Sequence, residues 1–344
     1  AGNPNCGKTT MFNALTGANQ YVGNWPGVTV EKKEGKLKNQ KDVTVTDLPG
    51  IYSLSPYTLE EVVSRDYLLK EKPDVIIDLV DATNIERNLY LATQLLEIGI
   101  PVVIALNMVD LLKKNNIHIN VKGLSSALGC PIVETSALKG TGLKEVVDEA
   151  IKCANQHRVP SKQMEFPKAV EKAVNEIESL VPANISEENK RWYAVKLLER
   201  DSKVKEGLNL PASVQSKIEE IASNLEKAED DDTESIVTDG RYQYIQKVVS
   251  ANVKRSGNKM TVSDKIDRIV TNRILGLPIF ILTMFIVYYV SVTTVGTMVT
   301  DWTNDSFVGT IQGVVADGLS GVGVADWLVS LVSDGIIGGL GAVL

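Results

Sequence analysis

The 344-residue chain contains only two histidines and three cysteines. His118 and His157 lie far apart and without clustered carboxylates, so their spacing supports no metal site. The cysteines, Cys6, Cys130 and Cys153, show no C-x-x-C spacing. This pattern excludes a disulfide framework and is typical of a protein from a reducing compartment.

Basic residues are outnumbered by acidic ones. The chain has 36 Lys and Arg residues against 43 Asp and Glu residues, a formal net charge of −7, which disfavours a nucleic-acid partner. No signal peptide is recognisable at its start. Hydrophobic residues make up 44% of the chain, and their excess lies near its end. The length leaves room for two or three domains.

The first residues match G-x-x-x-x-G-K-[ST], the loop that wraps the phosphates of a nucleotide. Gly2 and Gly7 let backbone N–H groups approach the phosphates without a Cβ in the way. Lys8 places a positive charge against the β- and γ-phosphates, and Thr9 offers a hydroxyl to Mg²⁺. The predicted nucleotide-binding residues of this loop are Gly2, Asn3, Asn5, Cys6, Gly7, Lys8, Thr9 and Thr10.

Two further segments carry the residues expected around the γ-phosphate. Asp47 ends a strand-like run and is followed after two residues by Gly50; the Asp suits a water-mediated Mg²⁺ contact, and the Gly N–H suits the γ-phosphate. Gly27, Val28 and Thr29 lie between the two motifs, and Thr29 offers a second hydroxyl to Mg²⁺. We therefore predict Lys8, Asn5, Thr29 and Gly50 as catalytic residues, and Thr9, Thr29 and Asp47 as Mg²⁺ ligands.

The base is predicted to be guanine. The apolar run 102–106 leads into Asn107-Met108-Val109-Asp110, an N-x-x-D base reader with Met108 where a lysine is commoner. The Asp110 carboxylate accepts two hydrogen bonds from the N1–H and 2-amino groups of guanine, donors that adenine lacks. Ser136 and Ala137 complete the pocket. Four motifs in this order predict a GTP- and GDP-binding domain.

Hydrolysis needs an oriented water and neutralised charge. The residue directly after Gly50 is Ile51, which has no polar group to hold that water, so intrinsic GTP hydrolysis should be slow. A monovalent cation held by the side-chain carbonyl of Asn5 and the backbone carbonyls of 23–25 is one source of charge. Alternatively, Asn5 only hydrogen-bonds its own loop. Glu60 and Glu61 are weaker candidates for placing the water.

The chain predicts three regions. Strand-like runs at 43–47, 75–80, 102–106 and 131–134 alternate with helical stretches, which predicts an α/β domain over residues 1–160 with a mostly parallel sheet and helices on both faces. From 166 to 259 strand signals vanish and apolar residues recur at helical spacing, which predicts a small all-α domain.

The last region carries a predicted transmembrane helix at about 274–300, which contains no charged residue. Its 27 residues would span roughly 40 Å as a helix, more than the ~30 Å bilayer core. Basic residues precede it and Asp301 and Asp305 follow, so the nucleotide domain should face the cytoplasm, with Trp302 at the far interface. Residues 306–344 are either a surface-lying piece or the start of another span. The basic residues that precede the predicted transmembrane helix are Lys254, Arg255, Lys259, Lys265, Arg268 and Arg273.

Both ends are expected to be boundaries within a longer protein. A phosphate loop usually follows a buried strand, yet only Ala1 precedes Gly2. Leu344 closes an apolar, Gly-rich run without a stop signal. The first strand of the nucleotide domain is therefore expected to be missing.

Long strings of the chain resemble the FeoB family of ferrous iron transporters, membrane proteins with a cytoplasmic G domain. The resemblance runs over nearly the whole chain and is weakest in the helical middle. The strings that carry it are 2–10 (GNPNCGKTT), 22–30 (VGNWPGVTV), 47–54 (DLPGIYSL), 107–110 (NMVD), 264–269 (DKIDRI) and 275–280 (LGLPIF).

This resemblance implies several properties. It implies potassium as the cation at Asn5, a helical spacer at 166–259 that inhibits nucleotide release, and a multi-helix permease for Fe²⁺ after 262, of which only the start (262–344) is present. We therefore expect a multi-pass protein of the inner cell membrane. Small accessory proteins and a homo-oligomeric state are further options. The alternatives are a membrane-tethered GTPase switch that recruits partners, a transporter of another divalent metal, and a soluble ribosome- or tRNA-associated GTPase, against which the uncharged span counts.

Overall fold

The structure, a computed structural model, describes residues 1–17, 20–38, 40–55, 57–162, 164–255, 270 and 276–341. They belong to two units, Ala1–Asn258 and Lys259–Leu344. The FeoB-like string 264–269, the first residue of the string 275–280 and the first two residues of the predicted span lie outside the described residues. So do the basic residues Lys259, Lys265, Arg268 and Arg273.

The described part of the first unit begins as an alternation of strands and helices and continues as helices. The strands are β1 Gln20–Asn24, β2 Glu31–Leu37, β3 Gln40–Asp47, β4 Ile76–Asp81, β5 Val102–Asn107, β6 Ile117–Ile119, β7 Ile132–Glu134 and β8 Val253–Arg255. The helices are α1 Lys8–Thr16, α2 Leu59–Asp66, α3 Ile85–Leu96, α4 Val109–Leu112, α5 Val121–Leu128, α6 Leu143–Asn155, α7 Lys168–Glu178, α8 Glu187–Leu198, α9 Ser202–Leu208, α10 Ala212–Glu229 and α11 Thr233–Asn252.

Strands β4, β5 and β7 form a parallel sheet in that order. Every residue of β5 is buried, because α3 and α6 pack against the sheet, and this explains its uninterrupted apolar sequence. The phosphate loop begins at the edge of this sheet, where Gly2 makes a parallel bridge to Leu79 of β4. The carboxyl ends of β4 and β5 therefore lie beside the loop.

Strands β1, β2 and β3 form a separate antiparallel sheet, of which only β3 was predicted from the sequence. Strand β2 consists mainly of lysine and glutamate, so it carries no apolar alternation; its ladders to both neighbours nevertheless satisfy its backbone. Strands β3, β4, β5 and β7 lie within three residues of the predicted runs.

The prediction of a purely helical stretch at 166–259 is wrong at one place. Val253–Arg255 is strand β8, which pairs antiparallel with β6 of the α/β part, and the Asn120 N–H donates to the Asn252 carbonyl at 2.8 Å. Three residues are too few to give a periodic signal. The end of the helical part is thus joined by backbone hydrogen bonds to the segment that follows α4.

Two buried ion pairs connect the helical part to the α/β part. Arg241 of α11 makes a bidentate pair with Glu97, at 2.7 and 2.9 Å, and both side chains are at most 1% exposed. Arg65 of α2 pairs with Asp201 at 2.7 Å, where Asp201 also caps α9 by accepting from the Val204 N–H. Helices α7 to α11 pack into the same hydrophobic core as α3.

The second unit contains a helix, α12, from Gly276 to Gly321. In the described part of the chain it is the one helix long and apolar enough to cross a bilayer, by length and composition. The helix continues past Thr300, the end of the predicted span, and in the described residues after Gly276 the first positive φ is at Gly323, +83°. Its 46 residues would measure roughly 69 Å, more than twice a bilayer core.

Trp302, predicted to lie at the far membrane interface, is a residue of α12. A turn leads from α12 to a second helical run, α13, over residues 326–341. The two helices pack together, since Gln312 donates to the Ser333 carbonyl at 3.0 Å and Gly341 lies against Val308. Residues 306–344 are therefore divided between the end of α12 and α13, apart from 342–344, which lie outside the described residues.

Candidate functional site

The phosphate loop has the backbone geometry that its glycines predict. Gly2 has φ +142°, and a Cβ there would lie 2.7 Å from the Leu79 carbonyl oxygen. Gly7 has φ +98°, and a Cβ there would lie 2.4 Å from Nδ2 of Asn107. Asn5 is left-handed at φ 64°, a conformation that Asn tolerates better than most residues. Because α1 begins at Lys8, its N-terminal N–H groups point into the loop.

Two cavities open on either side of the loop and share Asn5, Lys8 and Thr9. The first, here called the Asn107 cavity, has a volume of about 490 Å³. It is lined by Asn5, Gly7, Lys8, Thr9, Thr10, Asn107, Met108, Asp110, Leu111, Ser136, Ala137 and Leu138. The second, the Asp47 cavity, has about 370 Å³. It is lined by Pro4, Asn5, Lys8, Thr9, Val30, Glu31, Lys33, Asp47, Leu48, Pro49 and Gly50.

Asn107, at the end of β5, bonds to both the phosphate loop and the 135–137 loop at the bottom of the Asn107 cavity. Its Nδ2 donates to the Cys6 carbonyl at 2.8 Å, and its Oδ1 accepts from the Ala137 N–H at 2.9 Å. Only 2% of the residue is exposed. One side chain therefore fixes the phosphate loop relative to the 135–137 loop.

Asp110 lies at the outer end of the same cavity. Hydrogen bonding from Ser136, aided by Lys139 at 3.4 Å, holds the pKa of the Asp110 carboxyl below its usual value. The group is thus an ionised acceptor at neutral pH, the form required to receive two N–H donors of a guanine. Met108 is left-handed at φ 64°, which directs the chain from β5 into α4.

Thr9, Asp47 and Gly50 come together in the Asp47 cavity. Burial raises the pKa of the Asp47 carboxyl, and the nearby positive charges of Lys8 and Lys33 oppose this shift. The Lys8 ammonium donates to the carbonyls of Gly2 and Asn3 at 3.0 and 2.9 Å. A hydroxyl and a carboxylate in one polar cavity are oxygen donors of the kind that Mg²⁺ takes, so these residues fit that ion.

The loop 27–29 is not brought into either cavity. Thr29 is exposed, and neither Gly27, Val28 nor Thr29 lines the Asn107 or the Asp47 cavity. The loop is anchored instead by Trp25, which is 7% exposed and packs edge-on against Tyr67 at 5.2 Å. In this conformation the Mg²⁺ ligands predicted from the sequence are therefore assembled without Thr29.

The two glutamates proposed to place the water also lie away from the cavities. Glu61 is 7% exposed and forms a capping box with Thr58 at the start of α2, while Glu60 is exposed. Neither lines the Asp47 cavity. In contrast, Glu31 and Lys33 line the Asp47 cavity, and Leu138, which is 84% exposed, lies at the mouth of the Asn107 cavity. None of these three residues was predicted from the sequence. The sequence offers no signal that separates Glu31 and Lys33 from the other charged residues of β2.

Two family models match the chain: Ferrous iron transport protein B over residues 1–150 and FeoB cytosolic helical domain over residues 166–254. Among curated proteins, the Fe(2+) transporter FeoB of Shigella flexneri is 37% identical over 356 residues, covering all of this chain and 44% of the relative. A Fe(2+) transport protein A/Fe(2+) transporter FeoB fusion protein of Porphyromonas gingivalis is 38% identical, with 42% of it covered. The chain thus spans less than half the length of these relatives.

Solved structures of S. thermophilus NFeoB are similar as well. A point mutant bound to GDP has 47% sequence identity and a TM-score of 0.69, over 74% of this chain and 97% of that one. The mGMPPNP-bound protein has 47% identity and a TM-score of 0.66, over 75% and 97%. At this identity the likeness confirms the predicted fold class, a nucleotide-binding α/β domain followed by a small helical domain.

Proposed function

The chain belongs to the FeoB family, and from that premise we propose that it is the GTP-binding and GTP-hydrolysing cytoplasmic part of a membrane ferrous iron transporter, together with the start of the membrane domain. The nucleotide state of this part would regulate or drive iron uptake across the inner membrane. Fe²⁺ is the transported substrate in this proposal, and its ligands lie outside the Asn107 and Asp47 cavities.

The observation that carries the nucleotide proposal is the bridge made by Asn107. One amide holds the phosphate loop and the 135–137 loop at fixed separation, so that Lys8 at one end and Asp110 at the other face a single continuous groove. A purine nucleotide has the same arrangement, with negative phosphates at one end and hydrogen-bonding edges at the other. The pairing of a cationic end with an anionic acceptor end favours guanine.

The residues of the Asp47 cavity support the hydrolytic step. Lys8, which donates to the carbonyls of Gly2 and Asn3, would instead contact the β- and γ-phosphates of a bound nucleotide, and the Gly50 N–H would donate to the γ-phosphate. Thr9 and Asp47 would hold Mg²⁺, which supplies positive charge between the phosphates when bound. Thr29 would join them only after the loop anchored at Trp25 rearranges, which is the ordering expected of a nucleotide switch.

Ile51 has no polar group and is 2% exposed, so the site lacks the usual side chain for orienting water. We propose that a K⁺ ion held by Asn5 supplies the missing charge, because Asn5 lines both cavities at the phosphate loop. Asn5→Ala is then expected to reduce hydrolysis in K⁺ by roughly tenfold and to remove the difference between K⁺, Na⁺ and Li⁺.

Steady-state phosphate release in each salt measures this effect. Asn5→Asp is the matched control, since it keeps a side-chain oxygen and tolerates the left-handed backbone at φ 64°. Equal rates for Asn5→Ala and the natural protein in all three salts would contradict the assignment and leave Asn5 as a residue that only orders its own loop.

The helical part is proposed to restrain nucleotide release. The segment after Gly50 is tied to α3, where the Leu54 N–H donates to Gln94 at 2.6 Å, and then continues into α2. Helix α2 is joined to the helical part by the buried Arg65–Asp201 pair. A change at the γ-phosphate would therefore reach α9 through one short, connected path.

Iron uptake in cells that lack their own importer tests the proposal. The complete reading frame should support uptake, and Asp110→Asn should abolish it, because GTP recognition is lost while the membrane part is unchanged. Asp148→Asn, an exposed substitution on α6 with the same chemistry, should leave uptake intact. GTP binding without uptake of iron would redirect the proposal to another divalent ion or to a membrane-tethered switch.

A further inference from the structure

The inner face of the β2–β3 hairpin changes character along its length. Its pairing register places Lys33 opposite Asp47 and Gly35 opposite Val45, so the side chains of each pair project from the same face. At one end this face is apolar, since Leu37 and Val45 pack with residues of α1. At the other end, beside the phosphate loop, the same face consists of charged side chains.

Three charges meet at that end, inside the Asp47 cavity. Lys33 and Glu31 are two residues apart on β2 and therefore share a face, and their side chains form an ion pair of 3.2 Å. Asp47 is the cross-strand neighbour of Lys33. Among the ion pairs of the described residues, the partner of Lys33 is Glu31 and not Asp47. Lys33 thus lies between two carboxylates, one that holds it and one that is a candidate Mg²⁺ ligand.

The outer face of the same strand shows that this arrangement is specific to the cavity. Glu34 pairs with Lys32 at 2.7 Å, and Lys36 donates to Thr44 at 2.8 Å. These side chains alternate with Glu31 and Lys33 and line neither the Asp47 cavity nor the Asn107 cavity. They have the same chemistry on the same strand but point away from the site.

We propose that Lys33 and Glu31 set the affinity of the Asp47 cavity for its divalent cation. The Lys33 ammonium competes with Mg²⁺ for electrostatic interaction with the Asp47 carboxylate. The ion pair with Glu31 keeps the ammonium away from Asp47, so that Mg²⁺ can bind there. This inference rests on the proposed nucleotide function, since it concerns the metal that accompanies the phosphates. It assigns Lys33 and Glu31 as positioning residues for the metal.

Removing the charge of Lys33 and removing that of Glu31 should change the Mg²⁺ affinity in opposite directions. Removing the Lys33 charge leaves Glu31 and Asp47 as two carboxylates at the cavity, which favours a divalent cation. Removing the Glu31 charge frees the ammonium to approach Asp47, which disfavours it. For charges several ångströms apart near a protein surface, the Coulomb energy corresponds to roughly three- to tenfold in an equilibrium constant after screening.

The test is a Mg²⁺ titration of nucleotide release on the whole chain in detergent. Release of a fluorescent GDP analogue is followed at stepped free Mg²⁺, and the half-maximal concentration is read for each variant. Lys33→Gln is expected to lower this concentration by about three- to tenfold, and Glu31→Gln to raise it by a similar factor. Lys33→Arg, which keeps the charge, should behave like the natural protein.

Lys36→Gln and Glu34→Gln are the matched controls, because they remove the same charges from the outer face of β2. A shift of equal size in these controls overturns the inference, because the effect would then come from net charge. Shifts of the same sign for Lys33→Gln and Glu31→Gln also overturn it, because they would come from misfolding.

The binding of the GDP analogue in excess EDTA is a separate readout. If the natural protein binds no nucleotide under any condition, the proposed function itself fails, whereas nucleotide binding with an unaltered Mg²⁺ dependence rejects only the role of Lys33 and Glu31.

Discussion

Asp110→Asn is expected to lower the affinity for GTP by about a thousandfold and to make xanthosine triphosphate the better ligand. The carboxylate accepts from both the N1–H and the 2-amino group of guanine, and each hydrogen bond to a charged acceptor contributes about 1.5–3 kcal/mol. An amide keeps one acceptor but presents an N–H against the 2-amino donor. Xanthine carries an oxygen at that position, so the amide pairs with it and with N1–H.

Competition of each triphosphate against a fluorescent GDP analogue measures both affinities. The substitution should not disturb the fold, because the side chain of Asp110 lies at the cavity mouth, where its partners are Ser136 and Lys139. Asp148→Asn removes a carboxylate from the exposed face of α6 and should change neither affinity. Unchanged GTP affinity in Asp110→Asn, with xanthosine triphosphate still excluded, would show that another residue reads the base.

The parts of the site that the sequence predicts are those whose chemistry is local. The phosphate loop needs Gly2 and Gly7 because a Cβ at either position would collide with neighbouring atoms, and this constraint leaves a readable pattern. Buried parallel strands such as β5 are likewise readable, because burial on both faces demands an unbroken apolar run.

The remaining parts depend on contacts between distant segments. Nothing in Glu31 or Lys33 distinguishes them from the other charges of β2 until the register with β3 places them beside Asp47. The position of Thr29 outside the cavities follows from the burial of Trp25 against Tyr67, a contact between residues 42 positions apart. Strand β8 exists because β6 offers it a partner, and neither strand is long enough to show a pattern.

The helical part illustrates the same limit. Its helices were predicted from spacing, but the residues that join it to the α/β part are charged, and a charge in a sequence is more often exposed than buried. Arg241 and Glu97 are separated by 144 positions and become a buried pair only when α11 packs on α3. The pairing is therefore a property of the tertiary structure, and its consequence for stability is large.

Arg241→Met is expected to destabilise the first unit by about 3–5 kcal/mol, because it leaves the Glu97 carboxylate, 1% exposed, without its partner. Removing both charges in Arg241→Met with Glu97→Leu should recover most of this loss, since an apolar pair of similar volume has no desolvation penalty. Lys70→Met breaks an exposed pair with Asp66 and should cost less than about 1 kcal/mol.

Urea unfolding of a fragment ending at residue 258, followed by the fluorescence of the buried Trp25 and Trp192, gives the free energy of unfolding of the natural sequence and of each variant. The same fragments, assayed for release of a GDP analogue, connect this pair to function. If α11 is what holds the helical part on α3, Arg241→Met should also speed nucleotide release, and the double variant should restore the slow rate. A stable Arg241→Met fragment with unaltered release would mean that the hydrophobic core shared by α3 and α11 suffices to dock the helical part, and that the buried charges only specify its register.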